Sequence, residues 1–195
     1  MRRVSNGGQK MNRADTIRLY HGSSEAIRKP DLSHNTGFAD LGKGFYLTDD
    51  HVAAKGRARA RARREGSAPG VVSSFDFDFS VVRWVYIGDG TDLPSGHGLS
   101  RFGLWFLPTD EGLAAWVRYI AQCRSDNTTV GDLGSPEVVR AWIATEEVEM
   151  ACAGYVSAEE VATAIDPTDL VAQYCLLNQR LMEEALAFVD ASPAL

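Results

Sequence analysis

Apolar and polar positions alternate most cleanly over residues 71–81, VVSSFDFDFSV. Val71, Phe75, Phe77, Phe79 and Val81 fall on one face there, and Asp76 and Asp78 on the other. A period of two predicts a strand with one face against a core. VRWVYI (82–87) continues as strand. IRLYH (17–21) reads as a shorter strand ending on a histidine, followed by the turn-prone GSS, and a loop with Pro30, Asn35 and Gly37 leads to the strand GFYLT (44–48). The pattern then becomes helical: Thr48 or Asp49 caps a helix that Gly66 terminates. Leu113, Trp116, Val117 and Ile120 recur at helical spacing within 110–123. Ser135 and Pro136 open a further helix with Val138, Val139, Trp142 and Ile143 inward. Ser157 and Glu160 form a capping box, 170–178 (LVAQYCLLN) is a strand and 179–189 (QRLMEEALAFV) a closing helix. Five glycines and a proline make 88–103 a loop. Strands and helices follow in irregular order, which favours an α+β fold over a doubly wound sheet.

A chain of 195 residues suits one domain, spanning 16–195 behind a basic, polar tail at 1–15. No apolar run approaches the ~20 residues of a membrane span. Cys123, Cys152 and Cys175 are scattered without a CxxC pair, as in reduced cytoplasmic proteins, and the four histidines lack zinc-ligand spacing, so no metal is expected. The net charge of −6 is unevenly spread. Residues 1–66 hold 14 Lys/Arg against 7 Asp/Glu, and the remainder 6 against 19. The whole chain is therefore no general nucleic-acid binder, but its first third can present an electropositive face. Within it KGRARARARR (55–64) puts Arg57, Arg61 and Arg64 on one helical face, with Arg59 and Arg63 elsewhere. That face reads either as a phosphate-binding wall or as a solvated surface answering the acidic C-terminal part; no aromatic side chain is interleaved for base stacking.

Two short segments carry candidate chemistry. In LYHGS (19–23) a histidine ends a strand and a glycine follows; in GKGFYLTDDHVAAK (42–55) two glycines precede a tyrosine on a strand that runs into a helix. Together they resemble the histidine-tyrosine-acid branch of the ADP-ribosyltransferase superfamily, shared by diphtheria-type toxins and poly-ADP-ribose polymerases, and especially its small bacterial toxin-like domains. AQYCLLN (172–178) is similar to the late strand of that family, with Gln173 where its catalytic glutamate stands. The resemblance covers 17–57 well and 170–189 moderately, while 80–165 matches nothing in it. It implies a split mixed β-sheet core with flanking helices, and an enzyme that cleaves the nicotinamide–ribose bond of NAD, used as a substrate, and moves ADP-ribose to a protein or nucleic acid. A bacterial toxin role with a partner antitoxin, in the cytoplasm and away from membranes, belongs to the same implication.

By resemblance, His21 hydrogen-bonds the adenosine ribose, Tyr46 stacks under nicotinamide, and Gln173 holds the ribose at the reacting end. Gly22, Ser23, Gly44, Phe45 and Arg57 complete the NAD-binding set. Gly22 is expected to bring its backbone to the carboxamide, and Gly42 and Gly44 to let their strand approach the cofactor. Polymerase-type relatives carry a serine and a second stacking tyrosine on the following helix; Ala54 and Arg57 occupy those positions here. Gln173 can bond a hydroxyl but has no charge and takes no proton, so the preferred acceptors are already nucleophilic: phosphate ends, carboxylates, nucleobase nitrogens. A rival acid lies in TEEVEM (145–150), where Glu147 and Glu149 form an E-x-E pattern like that of arginine-type transferases, though the same segment reads as the end of an amphipathic helix. The alternatives are an NAD glycohydrolase and a catalytically weak NAD or ADP-ribose binding module.

Overall fold

The computed structural model describes residues 15–34, 40–66, 69–90, 101–126 and 135–195. But for Asp15, the tail assigned to 1–15 lies outside them. Along the chain come β1 (Thr16–Ser23), β2 (Phe45–Thr48), α1 (His51–Glu65), β3 (Val71–Asp78), β4 (Arg83–Ile87), β5 (Phe102–Phe106) and α2 (Asp110–Asp126). β6 (Val138–Trp142), α3 (Glu146–Cys152), α4 (Ala158–Ala164), β7 (Ala172–Leu176), α5 (Gln179–Ala185) and β8 (Leu186–Pro193) follow. The strands form one mixed eight-stranded sheet in the order β4-β5-β6-β7-β2-β1-β3-β8, parallel between β4, β5 and β6 and antiparallel elsewhere. The fold is α+β, as the element order predicts.

Register assigns the faces. Tyr20, Thr48 and Gln173 lie in one row across β1, β2 and β7. On that face Cys175 joins a core with Trp116, Val117 and Ile120 of α2, while Tyr20 packs against the Ala54 and Ala58 of α1. Both helices therefore lie on one side of the sheet, α1 over β1 and β3 and α2 over the far wing. On the other side Tyr174 and Leu176 pack with Leu181 and Met182 of α5.

Local chemistry sets the ends of α1. Asp50, rather than Thr48 or Asp49, is its N-cap and accepts from the amides of Val52 (2.6 Å) and Ala53 (3.0 Å). Gly66 closes it at φ 67°. Ser157 and Glu160 form the expected box at the start of α4.

Four expectations are corrected. The helix expected from Ser135 is strand β6, wedged between β5 and β7 and buried on both faces, so its apolar run carries no strand period. The closing helix stops at Ala185, and Leu186–Pro193 turns into strand β8 along β3. The stretch 88–103 is not all loop: its last two residues begin β5, while 91–100 fall outside the described residues. Finally, Phe79–Val81 is a single 3-10 turn that separates β3 from β4, with the Asp78 carboxylate capping it through Ser80.

Candidate functional site

β1 and β2 share one registered pair, Tyr20↔Thr48. β1 stays paired with β3 through Ser23, and β2 stays paired with β7 from Phe45. The two strands thus part at the centre of the sheet, and a cleft of about 550 Å³ opens there, walled on one side by α1. His21, Gly22, Gly44, Phe45, Tyr46, Arg57 and Gln173 all line it. Of the residues singled out by resemblance, Ser23 and Gly42 do not; Ser23 is buried beside β3 at the end of β1.

His21 spans the gap. Its Nδ1 lies 2.7 Å from the carbonyl oxygen of Tyr46, where a rung of the β1–β2 ladder would otherwise continue. A carbonyl only accepts, so Nδ1 carries the hydrogen and donates it, leaving Nε2 as an acceptor. The ring stacks on Phe45 at a centroid separation of 4.4 Å. Burial pushes the imidazole down to about 4, with Arg61 and Arg57 adding to the effect against the opposing bond to Tyr46. At neutral pH His21 is an uncharged ring with one fixed acceptor.

Tyr46 is anchored by its own loop. The hydroxyl donates to the Gly42 carbonyl (2.7 Å) and accepts from the Leu41 amide (2.9 Å). Burial, and then the neighbouring Cys175, raise the phenol well above its ordinary range, so it stays protonated. The glycines of GKG now have a reason inside the protein. Gly42 turns at φ 99°, and a Cβ on Gly44 would lie 2.3 Å from the Cys175 sulfur and 2.6 Å from the Leu176 carbonyl. Lys43 between them is exposed and does not line the cleft. Gly22 answers to α1 in the same way: a Cβ there would sit 2.1 Å from the Ala54 carbonyl oxygen.

Gln173 is 2% exposed, and its Oε1 accepts from Nη2 of Arg57 at 2.8 Å. A guanidinium only donates, which fixes the amide's orientation. The other end, Nε2, is buried without a hydrogen-bond partner. Residues 57 and 173 are both departures from the resembled pattern, and here they meet: the arginine bonds the amide oxygen, while the amide nitrogen is buried from solvent.

Arg61 and Arg64 continue the wall of α1, as their shared face predicts. Arg59 points away and donates from Nε to the Ala194 carbonyl at 2.7 Å. Among the described residues lining the cleft there is no Asp or Glu. Glu147 and Glu149 are not brought to it: they sit on α3, near its start rather than at a helix end as the sequence suggested, and Glu149 is paired with Arg124 (2.6 Å). Tyr20, Leu47, Thr48, Ala60 and Ile143 also line the cleft and were not expected there from the sequence, Ile143 having been placed inward on a helix. Among the described residues no group of His, Cys, Asp and Glu is arranged to hold a metal ion, and no helix is long and apolar enough to cross a membrane.

Residues 17–90 match a family model described as a protein of unknown function, DUF3990. The match takes in β1, β2, α1, β3 and β4, hence His21, Tyr46 and Arg57 but not Gln173. No curated protein and no solved structure matches the chain.

Proposed function

We propose that the cleft binds NAD, and that the protein is an ADP-ribosyltransferase that releases nicotinamide and moves ADP-ribose to a macromolecule. The observation carrying this reading is convergence. His21, Tyr46 and Gln173, more than a hundred residues apart at the extremes, meet in one cleft beside three guanidinium groups. The chemistry fits a dinucleotide. The arginines suit its pyrophosphate, the Nε2 of His21 accepts from a ribose hydroxyl, and the fixed Tyr46 ring offers a flat apolar wall for nicotinamide. Holding the two ends of the dinucleotide still is the larger share of what such a cleavage needs, because the glycosidic bond already carries a good leaving group.

A second reading, a module that binds NAD or ADP-ribose without turnover, draws on one observation: the residue standing where the resembled family has its acid is a neutral amide whose oxygen is bonded by Arg57. Incubation with adenine-labelled NAD and a cell extract separates the readings. Label on a macromolecule supports transfer, free ADP-ribose means hydrolysis, and intact NAD means binding alone. His21→Ala is expected to lower NAD affinity or turnover at least about tenfold, ~1.4 kcal/mol. Unchanged calorimetric binding in the folded variant removes His21 from the site.

A further inference from the structure

The transferase reading leaves the acceptor open, and the following rests on that reading. We propose that the acceptor is the terminal phosphate monoester of a nucleic-acid strand, received on the arginine wall of α1.

Three features of the cleft lead there. First, among the described residues it has no group suited to taking a proton from an acceptor. Its lining holds no carboxylate, Gln173 does not titrate, and the Thr48 hydroxyl is committed to the Ala172 carbonyl at 2.7 Å. The one imidazole uses Nδ1 on Tyr46, and burial, with a smaller contribution from Arg61 and Arg57, makes Nε2 a weak base. A serine hydroxyl, an arginine or water must lose a proton to attack, and nothing here assists that loss. Second, the wall is cationic: Arg57, Arg61 and Arg64 face the cleft, and among the described residues Arg61 alone of the three forms an ion pair, with Glu65 at 2.9 Å in an exposed pair. Third, the Gln173 amide oxygen accepts from Arg57 at 2.8 Å and so holds that guanidinium at the cleft wall. A cationic wall without a carboxylate among its described residues suits an anionic oxygen.

A phosphate monoester meets that description without further help. With a second pKa of about 6 it is largely a dianion at neutral pH, so it attacks without giving up a proton. The step balances with NAD as the only co-reactant. A lone pair on a phosphate oxygen forms the bond to the ribose C1′, and the C1′–N bond breaks. Its electron pair neutralises the pyridinium and nicotinamide leaves. No proton moves.

The helix favours a nucleic acid over a phosphopeptide as the bearer of that phosphate. Arg57, Arg61 and Arg64 stand in a row along the cleft face of α1, about 10 Å from first to last, while Arg59 turns away to the Ala194 carbonyl. A phosphopeptide offers one phosphate to such a row, whereas a strand offers a phosphate every several ångströms.

The test supplies adenine-labelled NAD with four acceptors in parallel: single-stranded oligonucleotides bearing a 5′-phosphate, a 3′-phosphate or hydroxyls at both ends, and a phosphoserine peptide. The expected result is label on one or both phosphorylated oligonucleotides and none on the hydroxyl-ended one. The labelled end becomes resistant to phosphatase, because the monoester is now a diester. Arg57, Arg61 and Arg64 replaced together by glutamine should raise the oligonucleotide KM at least tenfold and flatten its salt dependence. Label on the hydroxyl-ended strand, a labelled end still open to phosphatase, or label on the peptide alone overturns the proposal while leaving the transferase reading intact. Nicotinamide released with no label on any of the four also overturns it. NAD bound but never cleaved overturns the transferase reading itself, and this proposal with it.

Discussion

α1 and α2 lie on the same face of the same sheet and are built in opposite ways. α2 buries Leu113, Trp116, Val117, Tyr119 and Ile120, and Trp116 meets Trp142 at a centroid distance of 5.3 Å. α1 buries only Ala54, Ala58 and Ala62. Side chains that small let its backbone descend onto the strands, and Gly22 and Gly70 make room: a Cβ on Gly70 would lie 2.3 Å from the Ala58 carbonyl oxygen. α2 holds its half of the molecule by bulk, α1 by proximity. Proximity is what lets Arg57 reach a side chain buried in β7. A helix seated on leucines would stand several ångströms higher, and its guanidinium groups would line open water.

The contrast can be broken from either side. Trp116→Ala should cost the most, about 3–5 kcal/mol of stability, because a fully buried indole leaves a cavity. Since Trp116 does not line the cleft, the variant that remains folded should bind NAD as before; denaturant melts with and without ligand check both parts. Gly22→Ala is expected to lose about 3 kcal/mol, as its methyl meets backbone that has no rotamer to yield. It should also lose NAD binding, because α1 must lift away. The contrasting change on the same helix is Gly56→Ala, where a Cβ meets nothing within 4 Å. It should stabilise by roughly 0.5–1 kcal/mol and leave the cleft unchanged.

The pH dependence sharpens the comparison next. His21 is held at about 4 in the folded chain against an ordinary 6.5, so between those values the unfolded chain binds the extra proton. Stability must therefore fall as pH drops from 6.5 to 4, by up to roughly 3 kcal/mol from this group, and lose nothing further from it below 4. His21→Gln should abolish that slope, so that the stability curves of the two proteins diverge between pH 6.5 and 4; parallel curves would show that the imidazole is not the buried neutral ring described. The arginines test the cleft wall itself. Arg57→Gln should weaken NAD binding about tenfold, ~1.4 kcal/mol, and Arg63→Gln, whose side chain does not line the cleft, should change it little. Equal losses in both would reduce α1 to a diffuse positive surface.

What was legible in the sequence follows the distance over which each feature is determined. YHGS and GKGFYLT are local signals, and the cleft residues they carry stand together in the structure. The face of Arg57, Arg61 and Arg64 follows from helical geometry alone. β6 was not legible because VVRAW is buried on both faces, and a run without period reads as helix or strand equally well. β8 was hidden because LAFV follows α5 without a glycine or proline, and its strand state comes from pairing with β3, a hundred residues earlier. The bond between Arg57 and Gln173 joins positions 116 apart and depends on the depth at which α1 sits. The glycines that set that depth were assigned to the ligand; the helix claims them as well.

The single rung between β1 and β2 has a consequence for how the molecule opens. It divides the sheet into a five-strand block, β4-β5-β6-β7-β2, and a three-strand block, β1-β3-β8. The chain does not respect that division. It starts in the smaller block, enters the larger for β2, returns for β3, leaves again for β4 to β7 and comes back for β8. Neither block can be excised as a fragment, and neither can melt away whole without dragging the other's strands. The seam is thus thermodynamically weak and topologically stitched. Amide exchange at the seam can proceed through openings far smaller than global unfolding, with the four chain crossings acting as tethers that bring the halves back into register.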